Sequence, residues 1–173
     1  MKPTILKSKK IFDERGYFSE VFKKSDLKKF NLDFIQDNLS FSKKRGTLRG
    51  LHFQIPPFEQ AKLVRVLRGS ILDVVVDLRT KEDTYLKVTS VELSSDNWNQ
   101  FFVPAGFAHG FITKEDNTEV LYKVNNYYNQ SHDSGIFWND ADLGIDWGTS
   151  FENTIVSEKD MLLQPLKDFA SPF

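Results

Sequence analysis

Apolar and polar residues alternate along this chain in short bursts, with a period of two far more often than one near 3.6. The clearest burst is Ile71–Leu78, where Leu72, Val74, Val76 and Leu78 share one face and Ile71, Asp73, Val75 and Asp77 the other. Leu63–Leu67 lies just before it, and the intervening Arg68, Gly69 and Ser70 predict a hairpin between the two. Further strands are predicted at Leu48–Gln54, Leu86–Leu93 and Asn99–Val103, the last stopped by Pro104. Phe111–Thr113 and Glu119–Asn125 follow, with Lys114–Asn117 as their turn. Nearer the N-terminus, Ile11–Phe22 reads as a turn at Asp13–Gly16 followed by a strand. Phe34–Ser42 runs through Gln36, Asp37 and Asn38 into another β-like segment. Helical signals are few. Ser25–Phe30 reads as a short helix with a serine cap, and Ser157–Asp160 as a capping box whose acidic residue reaches back. Beyond Ser131 the pattern becomes irregular. Many short strands between turns mean an all-β domain, sandwich or barrel, with short flanking helices. No repeat or linker interrupts residues 1–173, so a single domain is expected.

At 173 residues such a domain can bury a proper core. Phe supplies much of it, with 16 residues against 5 Tyr and 3 Trp. Lys and Arg total 23 against 24 Asp and Glu, and a net charge of −1 argues against a nucleic-acid partner. A local cation cluster for a small phosphorylated ligand stays compatible with that balance. Cysteine is absent, which removes disulfides, zinc-thiolate sites and thiol nucleophiles together. The N-terminus has no apolar signal core and no run reaches membrane-spanning length, so a soluble cytoplasmic protein with no membrane partner is expected.

The stretch from Gly46 to Lys62 concentrates the chemistry, with Arg49, His52, Gln54 and Lys62 set among apolar residues. Strand alternation predicts Leu48, Gly50, His52 and Gln54 on one face, with Leu51 and Phe53 on the other. An imidazole in apolar surroundings with two cations nearby suits proton transfer beside an anion. A satisfied core histidine with two solvated cations is the plainer reading of the same residues.

Pro104, Gly106 and His109 have the spacing of the second cupin motif, and Gly46 ahead of His52 fits the first. Asp13–Gly16 with Phe18 and Glu20, Gln36–Asn38, Leu48–Gln54, Gln60–Lys62 and Asp73–Arg79 then occur in order. Phe107–Phe111, Tyr122–Lys123, Trp138–Asp140 and Ser157–Asp160 complete the set. Together they resemble the dTDP-4-dehydrorhamnose 3,5-epimerases over residues 10–165. The resemblance implies a cupin-type jelly roll, or double-stranded β-helix. It also implies cofactor-independent epimerisation of a dTDP-4-keto-6-deoxyhexose, in a homodimer.

By the same resemblance His52 is the base, Asp160 its carboxylate partner, Lys62 the cation at the enolate oxygen and Tyr122 the acid. Arg49 and Arg15 would hold the diphosphate, with Lys159 and Glu20 nearby, and a neighbouring subunit would lend part of the N-terminal segment. Gln36, Asn38, Tyr127 or Tyr128, and Asp133 would meet the thymine. His109 would line the sugar or pyrophosphate site, and Gln54 is counted with the binding residues. Read without the resemblance, Asp160 is the N3 residue of its box and Tyr122 a half-buried strand aromatic. Lys62 is then an ordinary strand-start lysine and Arg15 a turn residue.

A metal-binding cupin would want a histidine where Gln54 stands, leaving His52, His109 and Glu59 as a degraded ligand set. Such a set can still hold iron or manganese, but the resembled family works without a metal and Lys62 would oppose a second positive charge, so no metal is expected. The resemblance also leaves room for an epimerase acting at C3 or C5 alone, and the fold for a non-catalytic sugar-nucleotide-binding cupin. Two departures from the family pattern stand out. Gly148 follows Trp147 where proline is frequent, and Asp133 stands where glutamate is common. His132 is read as a surface residue without a role.

Overall fold

In the computed structural model of this chain, residues 1–173 are described apart from the side chains of Asp26, Lys28 and Lys29. The strands are β1 (Thr4–Lys7), β2 (Ile11–Asp13), β3 (Gly16–Phe18), β4 (Gln36–Ser42), β5 (Leu48–Gln54) and β6 (Lys62–Arg68). They continue as β7 (Ser70–Asp77), β8 (Val88–Ser94), β9 (Asn99–Val103), β10 (Phe107–Thr113), β11 (Thr118–Val124) and β12 (Asp133–Gly135). Two antiparallel five-stranded sheets result, ordered β1-β9-β6-β11-β4 and β12-β5-β10-β7-β8, with β2 and β3 as a separate hairpin. This is the jelly-roll sandwich.

The expected hairpin at Arg68–Ser70 does not form. β6 lies in the first sheet and β7 in the second, so Gly69 turns a corner between layers. Gly69 has φ +78, and a Cβ there would meet Thr118 Oγ1 at 2.5 Å. Val64 and Val66 of β6 pack against Ile71 and Val75 of β7 across the sandwich instead of beside them. The turn at Lys114–Asn117 crosses layers in the same way, from β10 to β11. An alternating pattern is identical for two strands that pair and two that face each other, so periodicity could not separate these cases.

The core has three parts. Between the sheets lie Val64, Val66, Ile71, Val75, Phe101, Phe107, Phe111 and Val120. Outside the second sheet, Leu48, Leu51, Phe53, Val74 and Val76 pack against Trp138, Trp147 and the C-terminal Phe169 and Phe173. Outside the first, Leu27 and Phe30 of a 3-10 segment, Lys24–Phe30, cover Leu63 and Phe102. Phe30 stacks on Phe102 with ring centroids 3.8 Å apart. That segment starts one residue before Ser25, so Ser25 lies within its first turn and not at the cap position expected for it. β10 is longer than Phe111–Thr113 because it is buried along its whole length and shows no alternation. β1 and β12, with 4 and 3 residues, are too short to show a pattern and escape a reading by periodicity.

Where β5 meets β10 the register shifts between His109 and Phe111, so His109 pairs with His52 but Phe111 with Arg49. This bulge corrects the simple alternation expected for β5. Leu48 joins Leu51 and Phe53 in the core, while Arg49 and His52 line one cavity. Two glycines permit it: Gly50 has φ +138, and a Cβ on it would meet Gly110 Cα at 2.5 Å. Among the described residues, no helix is long and apolar enough to cross a membrane.

Candidate active site

A cavity of about 550 Å³ opens between the sheets, and His52, Arg49, Lys62, His109, Tyr122, Lys159 and Asp160 all line it. The second sheet brings His52 and His109 on β5 and β10; the first brings Lys62 and Tyr122 on β6 and β11. Base candidate and acid candidate thus enter from facing sheets.

His52 Nε2 lies 2.9 Å from Asp160 Oδ1, and the Gly50 amide donates to Asp160 Oδ2 at 3.1 Å. Asp160 sits on the single-turn helix α1 (Glu158–Met161), capped by Ser157, whose hydroxyl accepts from the Asp160 amide. Only half of the expected capping box forms, because β5 takes the Asp160 carboxylate that would reach back. Burial pushes this carboxyl upward, yet hydrogen bonds from His52, Gly50 and Ser157 and the His52 charge outweigh it and hold it below its ordinary range.

Lys62 is 8% exposed, and its Nζ donates to the His52 carbonyl at 3.5 Å. Burial lowers its pKa to about 8, with Asp73 and Asp133 pulling the other way. Burial raises the Tyr122 phenol; Arg49 lowers it and Asp133 raises it further. The phenol therefore keeps its proton at neutral pH. His109 Nε2 lies 2.9 Å from both carboxylate oxygens of Asp73. Asp73 is a site residue that sequence reasoning missed, although a carboxylate inside an apolar strand is a visible signal. Phe111, Ser40 and Ser157, which unlike Asp73 line the cavity, were missed as well.

The other expected binding residues are dispersed. Tyr128 Oη donates to Asp133 Oδ2 at 3.2 Å, and Lys159 Nζ reaches the same oxygen at 2.5 Å. Gln36 donates to Asn38 Oδ1 and accepts from the Tyr128 amide, so these five residues form one rim. Tyr127 is 62% exposed. Arg49 donates to the Phe41 carbonyl at 3.2 Å. Gln54 does not line the cavity: its amide bonds the backbone of Phe58, Tyr127 and Asn129 and pins the loop carrying the tyrosines. Arg15 and Glu20 are also absent from the lining. Arg15 pairs with Asp13 on the β2–β3 hairpin, its side chain 85% exposed. His132, read as surface, is partly buried against the Phe58 ring, with centroids 4.5 Å apart.

Among the described residues, no group of three or more His, Cys, Asp or Glu is arranged to hold a metal. Both histidines of the degraded ligand set face carboxylates, and Glu59 does not line the cavity.

The profile of the family described as dTDP-4-dehydrorhamnose 3,5-epimerase matches residues 2–168. The chain belongs to this family. A relative of that name from Methanothermobacter thermautotrophicus is 50% identical over 159 residues, covering 90% of this chain and 85% of its own. The Bacillus anthracis dTDP-4-dehydrorhamnose 3,5-epimerase, solved with TDP and PPi bound, superposes with a TM-score of 0.91 at 44% identity. That match covers 95% of this chain and 94% of the other. The Legionella pneumophila dTDP-6-deoxy-D-glucose-3,5-epimerase, in complex with dTDP-4-keto-L-rhamnose, gives 0.91 at 37% identity, covering 97% and 89%. The family's fold is thus reproduced across both sheets.

Proposed function

We propose that this chain epimerises dTDP-4-dehydro-6-deoxy-D-glucose at C3 and C5 to dTDP-4-dehydro-L-rhamnose, without metal or cofactor. The observation that carries the reading is that His52 and Tyr122 line one cavity from facing sheets, with Lys62 in the same lining. In a 4-keto sugar the protons at C3 and C5 are acidic, because removing either leaves charge on the C4 oxygen. An ionised Asp160 only accepts, so His52 Nε2–H donates to it and Nδ1 is left as the base. Nδ1 takes the carbon-bound proton, and the Lys62 ammonium stabilises the enolate. Tyr122 returns a proton from the other face; solvent reprotonates its phenolate and deprotonates the imidazolium. Repetition at the second carbon completes the conversion.

Arg49 and Lys159 at the cavity supply charge for the diphosphate, and the Gln36–Asn38–Tyr128–Asp133 rim accepts the base. Relatives solved with TDP and PPi and with dTDP-4-keto-L-rhamnose support a ligand of that class. We further infer a homodimer. The β2–β3 hairpin leaves Ile11, Phe12 and Phe18 63–71% exposed and holds Arg15 away from its own cavity. A second copy would cover these residues and receive Arg15.

The test is NMR of the purified protein with dTDP-4-keto-6-deoxyglucose in heavy water. Deuterium is expected at both carbons. Deuterium at one carbon alone would make the chain a single-site epimerase, and binding without exchange a sugar-nucleotide-binding cupin.

A further inference from the structure

Asp73 is 0% exposed on β7, between Ile71 and Val75 of the inter-sheet core. A carboxylate so placed is costly unless it is paired, and its hydrogen-bonding partner is His109. Asp73 does not line the cavity, whereas His109 does. An ionised carboxylate only accepts, so the His109 Nε2–H donates to it and Nδ1 is the nitrogen left for a ligand. Lys62 shares the cavity with His109, and Asp73 is the foremost charge favouring its ammonium form against burial. The titratable and charged groups at this end are His52 on β5, Asp73 on β7, His109 on β10, Tyr122 on β11, Asp133 on β12, Arg49 on β5, and Lys159 and Asp160 on α1.

We propose that Asp73 is the positioning residue of this site: it fixes the His109 ring and supplies the countercharge for the Lys62 ammonium. The inference rests on the base-and-acid reading above and adds a role for a group that reaches no substrate. Removing the charge while keeping the shape should leave Lys62 less able to hold its proton. The cation that stabilises the enolate is then lost at lower pH.

The test is the pH profile of kcat/KM for the full-length enzyme and for Asp73→Asn and Asp73→Glu. Asparagine is expected to move the high-pH limb down by about one unit or more. It should also lower kcat at neutral pH about 10- to 100-fold with KM little changed. Glutamate, which keeps the charge, should restore the limb. An unmoved limb in folded Asp73→Asn, or activity loss that tracks only loss of folded protein, would overturn the proposal. Should Asp73→Asn fail to fold, ¹⁵N NMR of the wild-type histidines decides. The chain has only 3, and His109 must show its proton on Nε2; a proton on Nδ1 alone overturns the assignment. That readout needs no turnover. A wild-type enzyme that exchanges no substrate hydrogen would sink the base-and-acid reading and leave the His109 result standing.

Discussion

Asp160 holds His52 through one oxygen and the Gly50 amide through the other, tying α1 to the bulge of β5 across more than 100 residues of chain. The pair orients the imidazole and fixes which nitrogen faces the cavity. His52→Ala is expected to lower kcat/KM by about 10³-fold or more, while binding of dTDP stays near wild type. Asp160→Asn should cost about 10²- to 10⁴-fold, because an amide can present the wrong partner to Nε2. The same carboxylate contributes to stability. Its folded pKa lies below the unfolded value, so that contribution is present above the unfolded pKa and lost as pH falls through the folded one. Acid unfolding of Asp160→Asn should therefore begin from a less stable protein but show a shallower loss below about pH 4. Equal acid slopes would contradict the pairing.

In the proposed mechanism Tyr122 separates two events that the wild type would couple. Tyr122→Phe leaves His52 free to remove and return a proton on its own face, but no acid stands on the other. The expected outcome in heavy water is deuterium entering the substrate without inversion, and epimer formation slowed about 10²- to 10⁴-fold. ¹H NMR distinguishes the two directly. Inversion at an unchanged rate would remove Tyr122 from the mechanism.

Lys62 sets stability against function. Its ammonium is buried, and a shift from 10.5 to about 8 corresponds to roughly 3 kcal/mol opposing folding at neutral pH. Between about pH 8 and 10.5 the unfolded chain binds the extra proton, so this part of the stability rises with pH across that window. Lys62→Met should therefore raise the thermal midpoint at neutral pH while lowering kcat about 10²- to 10³-fold. Wild-type activity should fall above about pH 8 as the cation is lost, whereas Tyr122, held upward by burial, adds no limb there. A midpoint that drops in Lys62→Met would show that Lys62 is held by more than the contacts described.

Period-two patterning and turn signals were enough to read the fold class, because together they marked nine of the described strands, β3 to β11, at least in part. It could not assign strands to sheets at Gly69, nor find the whole of β10, whose continuous burial has no alternation. The bulge at Gly50 was equally hidden, since it depends on the close approach of Gly110 from a distant strand. Of the site, the cavity unites His52, Lys62, His109, Tyr122, Asp160, Arg49 and Lys159, all singled out by resemblance. Residue type alone favoured plainer readings for Tyr122 and Asp160. Asp73 escapes a linear reading because its role comes from pairing across the sheet with the strand that carries His109. Strand alternation puts Gln54 on the face of His52, yet its amide is consumed by three backbone groups.

Gly148 offers a test in which this chain and the family pattern diverge. It stands at φ +69, outside the range open to proline, and its amide donates to Asp146 Oδ1 at 2.8 Å. Proline would lose that bond and force the turn after Trp147, whose indole donates to the Trp138 carbonyl inside the outer core. Gly148→Pro is therefore expected to destabilise by about 1–3 kcal/mol, lowering the thermal midpoint by several degrees. Gly148→Ala meets no atom within 4 Å, so its cost should be confined to the left-handed backbone, about 1 kcal/mol. Neither substitution touches the cavity, so kcat should stay near wild type at temperatures where the variants are folded. If proline leaves the midpoint unchanged, the turn adopts another conformation in solution and the left-handed glycine is not what sets this chain apart from the family pattern.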